Sequence, residues 1–295
     1  MRKDRIDTFG AVMLVAQSAA LGINQVLIKL VNAGMEPAFQ AGLRSLCAAP
    51  LVLAYAVFRK KRLSVRDGSL LPGVLCGLFF ATEFVLLFYG LSLTSVARAS
   101  ILFYTMPVWL AIVAHFVLGE RLSLARVIGL TLALCGVSLA LGAGAGEGAS
   151  LIGDLMCLLA AFFWMGIALI ARISRLRTAA PEMQLIYQLV VSAPVLLLIS
   201  MVPGQFAFAM TTKLWLVFVI QVVGVATIAY LAWFWVLSIY PASDMASFGF
   251  LAPMFGVFFG WVILEEALQF TDLAALVLVA LGILLVNRKP KRTAP

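Results

Sequence analysis

Few polar side chains interrupt the long apolar stretches of this 295-residue chain, and any chemistry has to be sought among them. Glu83 is the sharpest case. It stands about midway along an apolar stretch running from 69 to 92, where lipid makes an ionised carboxylate expensive. A carboxyl group there can bind a substrate ammonium or carry a coupled proton, or it can sit protonated in a hydrogen bond between helices. Gln17 and Asn24 are seven residues apart, about two helical turns, and so share one face. Their amides can donate to a substrate carboxylate; interhelical glue is the plainer role. Trp164 lies too deep in its stretch to anchor at a membrane surface. That leaves stacking on a substrate side chain, or packing.

Three further faces combine a small polar group with an aromatic ring. Ser100, Tyr104 and Pro107 lie on one, Ser247, Phe250 and Pro253 on a second, and Thr227 and Tyr230 on a third. A proline frees a backbone carbonyl, and such faces suit a substrate cavity, although aromatic stripes are commonly packing. Tyr104, Trp164, Thr227, Tyr230, Ser247 and Phe250 therefore join Gln17, Asn24 and Glu83 as candidate substrate-binding residues. Arg44 lies near the end of its stretch and can snorkel; it is read as a gating or structural ion-pair partner. Pro107, Pro253 and the single histidine, His115, are grouped with it, since a lone histidine makes a poor metal site.

The surroundings of these residues decide the class of protein. The chain is 64% hydrophobic and 12% charged, with a mean hydropathy of +1.10, whereas a soluble domain carries about 25% charged residues. Cys47, Cys76, Cys135 and Cys157 fall inside apolar stretches without paired spacing, so small apolar packing is the better reading than disulfides or metal ligands. One histidine and one mid-stretch acid do not assemble a hydrolytic or metal-dependent centre. No enzyme, cofactor or metal is expected, and a channel would want oligomeric rings or a hydrated pore. A net charge of +8 does not point to nucleic acid, because the basic residues gather at the ends of apolar stretches. The expected partners are a small-molecule substrate, with or without a coupled proton, and the lipid bilayer.

Apolar windows bounded by charge and turn residues mark ten candidate transmembrane helices. They run approximately 8–31, 37–58, 69–92, 97–118, 124–142, 151–173, 181–202, 212–239, 243–264 and 270–287. Arg2, Lys3 and Arg5 precede the first as in a signal peptide, but the apolar run is long and reads as an uncleaved span. With the N-terminus inside, seventeen basic residues fall at one set of span ends and only Lys29, Arg98 and Lys213 at the other. Such asymmetry puts both termini of a multi-pass protein in the cytoplasm.

The halves also match each other. At an offset of 144, Pro37 meets Pro181, Pro50 meets Pro194 and Gly22 meets Gly166; at 146, Pro107 meets Pro253, Glu120 meets Glu266 and Gly136 meets Gly282. Five spans per repeat is an odd number, so the second half (147–295) must cross the membrane in the opposite sense to the first (1–146). Inverted repeats are a common plan of secondary transporters, with the site near the midplane between them. The expected fold is all-α, ten helices as two inverted five-helix repeats. Glu83 has Ala229 as its counterpart, so the scaffold does not require it.

These features resemble the drug/metabolite transporter superfamily, and within it the ten-span members with two EamA-type repeats. The residues that carry the resemblance are the proline-bearing spans ending in an acid, Pro107 to Glu120 and Pro253 to Glu266, each followed by a span with a late glycine, Gly136 and Gly282. Arg44 and Gly22 fit as well. The chain departs from the pattern at Leu21-Gly22, where a Trp-Gly pair is common, and at Gln188, which stands in place of an arginine. The resemblance implies export of small metabolites across the inner membrane by alternating access. The overall appearance is similar to YddG-type exporters of aromatic and other neutral amino acids, with drug efflux by the same fold as the alternative.

Overall fold

A computed structural model describes residues 6–120, 122–142, 150–202, 208–240, 245 and 248–287. The described residues are helical almost throughout. Helices α1 (Thr8–Asn32), α2 (Pro37–Phe58), α3 (Leu70–Leu93), α4 (Val96–Phe103) and α5 (Met106–Leu118) are followed by α6 (Leu124–Gly142), α7 (Leu151–Ile173) and α8 (Pro181–Ser200). A continuous rod then runs through α9 (Thr212–Val219), a π-helical segment (Ile220–Ala229) and α10 (Tyr230–Ile239), before α11 (Leu251–Leu264) and α12 (Phe270–Val286). Eight helices are long and apolar enough to cross a membrane, counting α4–α5 as one and the rod as one; α11 and α12 are shorter apolar helices.

Local sequence sets the starts. Asp7, Ser95, Ser150 and Thr211 each accept a hydrogen bond from an amide three residues on, as N-caps do. Glu36 caps α2 through the amides of Ala38 (3.0 Å) and Phe39 (2.6 Å), with Pro37 in the first turn where its missing N–H costs nothing.

Three elements differ from the expected spans. The fourth is broken at Tyr104–Thr105, because the ring of Pro107 would clash with the carbonyl of Phe103, the last residue of α4. The side chain of Thr105 partly repairs the break by donating to the carbonyl of Leu102 at 2.5 Å. The eighth is continuous but wound as a π-helix at its centre, where the Tyr230 amide donates to the Val225 carbonyl five residues back. In the ninth, residues 248–250 leave the α-helical path, and α11 starts at Leu251 with Pro253 in its first turn.

Contacts between chain ends fix the directions. Lys29 near the end of α1 meets Glu266 after α11, and Glu266 also holds the start of α4. Lys61 after α2 meets Glu182 at the start of α8, and Arg172 at the end of α7 meets Glu120 after α5. The first cluster defines one end of the bundle; the second defines the end richer in basic residues, called here the basic end.

Small residues let the helices close on one another, which matters where lipid gives no hydrophobic drive to associate. A Cβ at Gly282 of α12 would lie 2.7 Å from the Gly129 carbonyl oxygen and from the Ala133 Cβ of α6. One at Gly73 or Gly77 of α3 would meet Tyr187 or Val191 of α8 at 2.4 Å, and one at Gly22 of α1 would meet Phe255 of α11 at 2.6 Å. Large apolar side chains such as Phe58, Leu71, Phe116 and Phe270 stay exposed on the perimeter, which suits lipid rather than water.

Candidate functional site

Seven segments converge on a small cavity of about 30 Å³ inside the bundle. From α1 come Leu21, Asn24, Gln25 and Ile28; from α2, Arg44; from α3, Glu83 with Phe84, Leu87 and Phe88. The end of α4 and the break after it supply Phe103 and Tyr104, α7 supplies Trp164, and α10 supplies Tyr230. A volume of this size holds about one or two waters, so the cavity is closed around its own side chains.

Its charges are buried and poorly matched. Arg44 is 1% exposed and Glu83 3%. The guanidinium of Arg44 stands over the rings of Phe84 (4.3 Å) and Phe88 (5.3 Å), which offer π-faces but no hydrogen-bond acceptor. Among the described residues it has one hydrogen bond, to the Asn24 side-chain oxygen and long at 3.5 Å, and its Nε has no partner. Glu83 Oε2 and Gln25 Nε2 are likewise buried without partners. An unpaired buried ion is costly, so an arrangement like this calls for a ligand.

The aromatic wall is ordered by its own contacts. Trp164 stacks on Phe103 with centroids 4.9 Å apart and meets Tyr104 edge-on at 6.1 Å. The Tyr104 hydroxyl donates to the Leu21 carbonyl at 2.8 Å, tying the helix break to α1. Ser100 donates to the Gln25 side-chain oxygen at 3.1 Å, while the nitrogen of that amide is buried without a partner among the described residues.

Of the residues singled out from sequence, Asn24, Glu83, Tyr104, Trp164 and Tyr230 meet here. Gln17 shares a helix with Asn24 but lies two turns toward the basic end and does not line the cavity. Thr227 spends its hydroxyl on the Val222 carbonyl at 3.0 Å within the π-helical turn, and Phe250 packs against the core. Ser247 lies outside the described residues. Arg44, grouped from sequence with the gating or structural residues, also lines the cavity. Pro107 and Pro253 each sit in the first turn of a helix that follows an interruption, and His115 bonds the Glu120 carbonyl at 2.8 Å.

Sequence reading overlooked Gln25, one residue beyond Asn24 and turned about 100° around α1. It also overlooked a buried charge cluster at the end opposite the basic one. There Asp154 receives Arg98 through Nε (3.0 and 3.2 Å) and Nη2 (2.5 Å), together with the Thr94 hydroxyl at 2.6 Å. Arg98 also approaches Asp272 of α12 at 3.7 Å and donates to the Ala140 carbonyl. Beside it, Glu266 takes Lys29 at 2.9 Å and the Val96 and Ala97 amides at 2.9 and 3.3 Å, while Lys29 donates to the Thr94 carbonyl at 2.7 Å. The signal available in sequence was the presence of two acids, Asp154 and Asp272, in first helical turns, where helix dipoles favour them.

Comparison with known proteins follows the same outline. The EamA-like transporter family matches twice, over residues 8–142 and 151–288. The chain is 25% identical to the uncharacterized transporter YoaV of Bacillus subtilis (strain 168) over 275 residues, covering 92% of this chain and 94% of that protein. It is 27% identical to the uncharacterized transporter YvbV of the same organism over 271 residues, covering 92% and 88%. A chloroplastic WAT1-related protein of Arabidopsis thaliana, At3g02690, is 26% identical over 279 residues, with 90% of this chain and 66% of that protein covered. One solved crystal structure superposes with a TM-score of 0.65 over 95% of this chain and 96% of its own, at 20% identity, which shows a common fold.

Proposed function

Because the chain belongs to the EamA-like transporter family, we propose that it is a secondary transporter exporting small metabolites, foremost neutral and aromatic amino acids, by alternating access through the central cavity. The observation that carries this reading is a closed internal cavity holding Arg44 and Glu83 beside an aromatic wall. Such a site has charge for the polar part of a metabolite and rings for an apolar side chain. Among the described residues Arg44 is the one basic side chain lining the cavity, which suits a carboxylate better than a phosphate ester.

In this proposal the protein is two inverted five-helix repeats, ten spans in all, with the cavity between them and both termini in the cytoplasm of a bacterial inner membrane. Several local features support the repeat. Pro37 and Pro181 each open a helix, and Pro50 and Pro194 each lie inside one. The helices α5 and α11 stop in the same way, on a left-handed residue, Gly119 and Glu265, followed by the matched acids Glu120 and Glu266. Helices at matched positions, α6 with α12 and α2 with α8, pack on each other. Alternation then consists of opening one end as the other closes, with closure at the Lys29–Glu266 end being the state described above. YddG-type preference for aromatic substrates is the finest form of the proposal.

Efflux of labelled amino acids from vesicles reconstituted with the purified protein tests it. Saturable export of at least one neutral amino acid is expected, and no movement of any would overturn the substrate reading. Glu83→Gln, assayed across pH, separates the two roles of the carboxyl. If Glu83 carries a proton, export in the variant loses its dependence on a pH gradient. If it binds an ammonium, KM rises and the gradient dependence is unchanged.

A further inference from the structure

We propose that Arg44 and Glu83 are the two poles of a zwitterion site, Arg44 receiving a substrate carboxylate and Glu83 a substrate ammonium, so that only molecules carrying both charges are held well. The inference rests on the transport reading and narrows it to a substrate class.

Both residues line one cavity, from neighbouring helices α2 and α3, and both are almost fully buried. Yet no carboxylate among the described residues comes within 4.0 Å of the Arg44 guanidinium, so the two charges face the cavity without forming an ion pair. Each keeps an unpartnered atom, Nε of Arg44 and Oε2 of Glu83. A pair kept only for stability would close on itself, since separation leaves two desolvated charges uncompensated. Held apart, they match a molecule whose own opposite charges are a few ångströms from each other, as in an α-amino acid. The free Gln25 amide nitrogen, on the same cavity, adds a donor for the carboxylate. The Phe103–Trp164 stack offers a surface for the side chain.

The two halves of the chain agree on this point by differing. The counterparts of Arg44 and Glu83 in the second half are Gln188 and Ala229, so neither charge is needed to build a helix at that position. Both poles come from the first half, which makes the site polar in a fixed direction. The cavity of about 30 Å³ must widen to admit even a small amino acid, and substrate entry between the poles supplies the charge compensation that they lack.

The test is competition for export in vesicles, and ligand-induced thermal stabilisation of the purified protein, with two matched sets of probes. Each set holds an amino acid, its methyl ester, which keeps only the ammonium, and its deamino acid, which keeps only the carboxylate; the sets are built on L-phenylalanine and L-leucine. The unmodified protein is expected to favour each amino acid by about tenfold or more over either single-charge analogue. Arg44→Gln should erase the preference over the ester while retaining that over the deamino acid, and Glu83→Gln should do the reverse. Because each result is a ratio within one variant, a fall in the amount of folded protein does not mimic it. Equal acceptance of all three members of a set by a protein that exports the amino acid overturns the zwitterion site and leaves the transport reading standing. Equal loss of all three in both variants also overturns it, by assigning the pair to the scaffold. If no amino acid is exported at all, the transport reading fails first.

Discussion

Glu120 and Glu266 end matched helices in the same local way and then meet different surroundings. Each follows a residue in the left-handed region, and each donates its amide to a carbonyl six residues back at 3.3 Å, that of Ala114 or Gly260. Glu266 is then drawn into the bundle: its side chain is 12% exposed, paired with Lys29 and capping the start of α4. Glu120 stays at the rim, 34% exposed, with Arg126 and Arg172 at 3.5 and 3.4 Å. One acid locks three elements; the other is loosely held by two flexible arginines. Two acids set in the same motif are therefore docked differently, which is decided by their neighbours rather than by local sequence.

The largest way to break that contrast lies behind Glu266, at the fully buried Arg98–Asp154 pair. Arg98→Gln leaves Asp154 and Asp272 uncompensated and should lower unfolding stability by about 3 kcal/mol, read as a fall in thermal midpoint in detergent. A loss under about 1 kcal/mol would mean that water already reaches this end. Glu266→Gln comes next. It removes the ion pair with Lys29 and the charged cap on α4, together worth about 1–2 kcal/mol in a partly buried setting. It should open this end, so that a cysteine placed at Ile28 in a cysteine-free background labels about tenfold faster with an impermeant maleimide from that side.

Lys29→Gln should act in the same direction but less, since the backbone caps on Glu266 survive it. Glu120→Gln should change neither stability nor labelling by more than about 0.5 kcal/mol, as exposed pairs contribute little. An effect as large as that of Glu266→Gln would show that the basic end is also locked, and the contrast between the ends would collapse.

Much of the architecture was legible in the residues. Apolar length marked the helices within a few positions, since a membrane-crossing helix must be long and uncharged. A solitary acid in lipid marked Glu83, whereas the break at Tyr104–Thr105 falls inside a span read as continuous, although Pro107 is its cause. The lateral facing of each helix was less legible. In a soluble helix the polar face identifies the buried one, but here both faces are apolar and the 3.6-residue signal fades. Gln17 was therefore chosen on α1 and Gln25 passed over, although Gln25 reaches the cavity and Gln17 does not. Arg44 looked like a snorkelling residue because its position along α2 was readable and its direction was not.

Sequence alone determined that this chain lives in a bilayer, roughly where most of its apolar helices lie, and which residues are too polar for their surroundings. Tertiary structure alone decided that Arg44 and Glu83 share a cavity, that the rod before Tyr230 winds as a π-helix, and that Glu266 is docked while Glu120 is not. The reason is physical. Hydropathy and backbone hydrogen bonding act residue by residue along the chain, whereas facing and closure depend on which small residues let two helices touch.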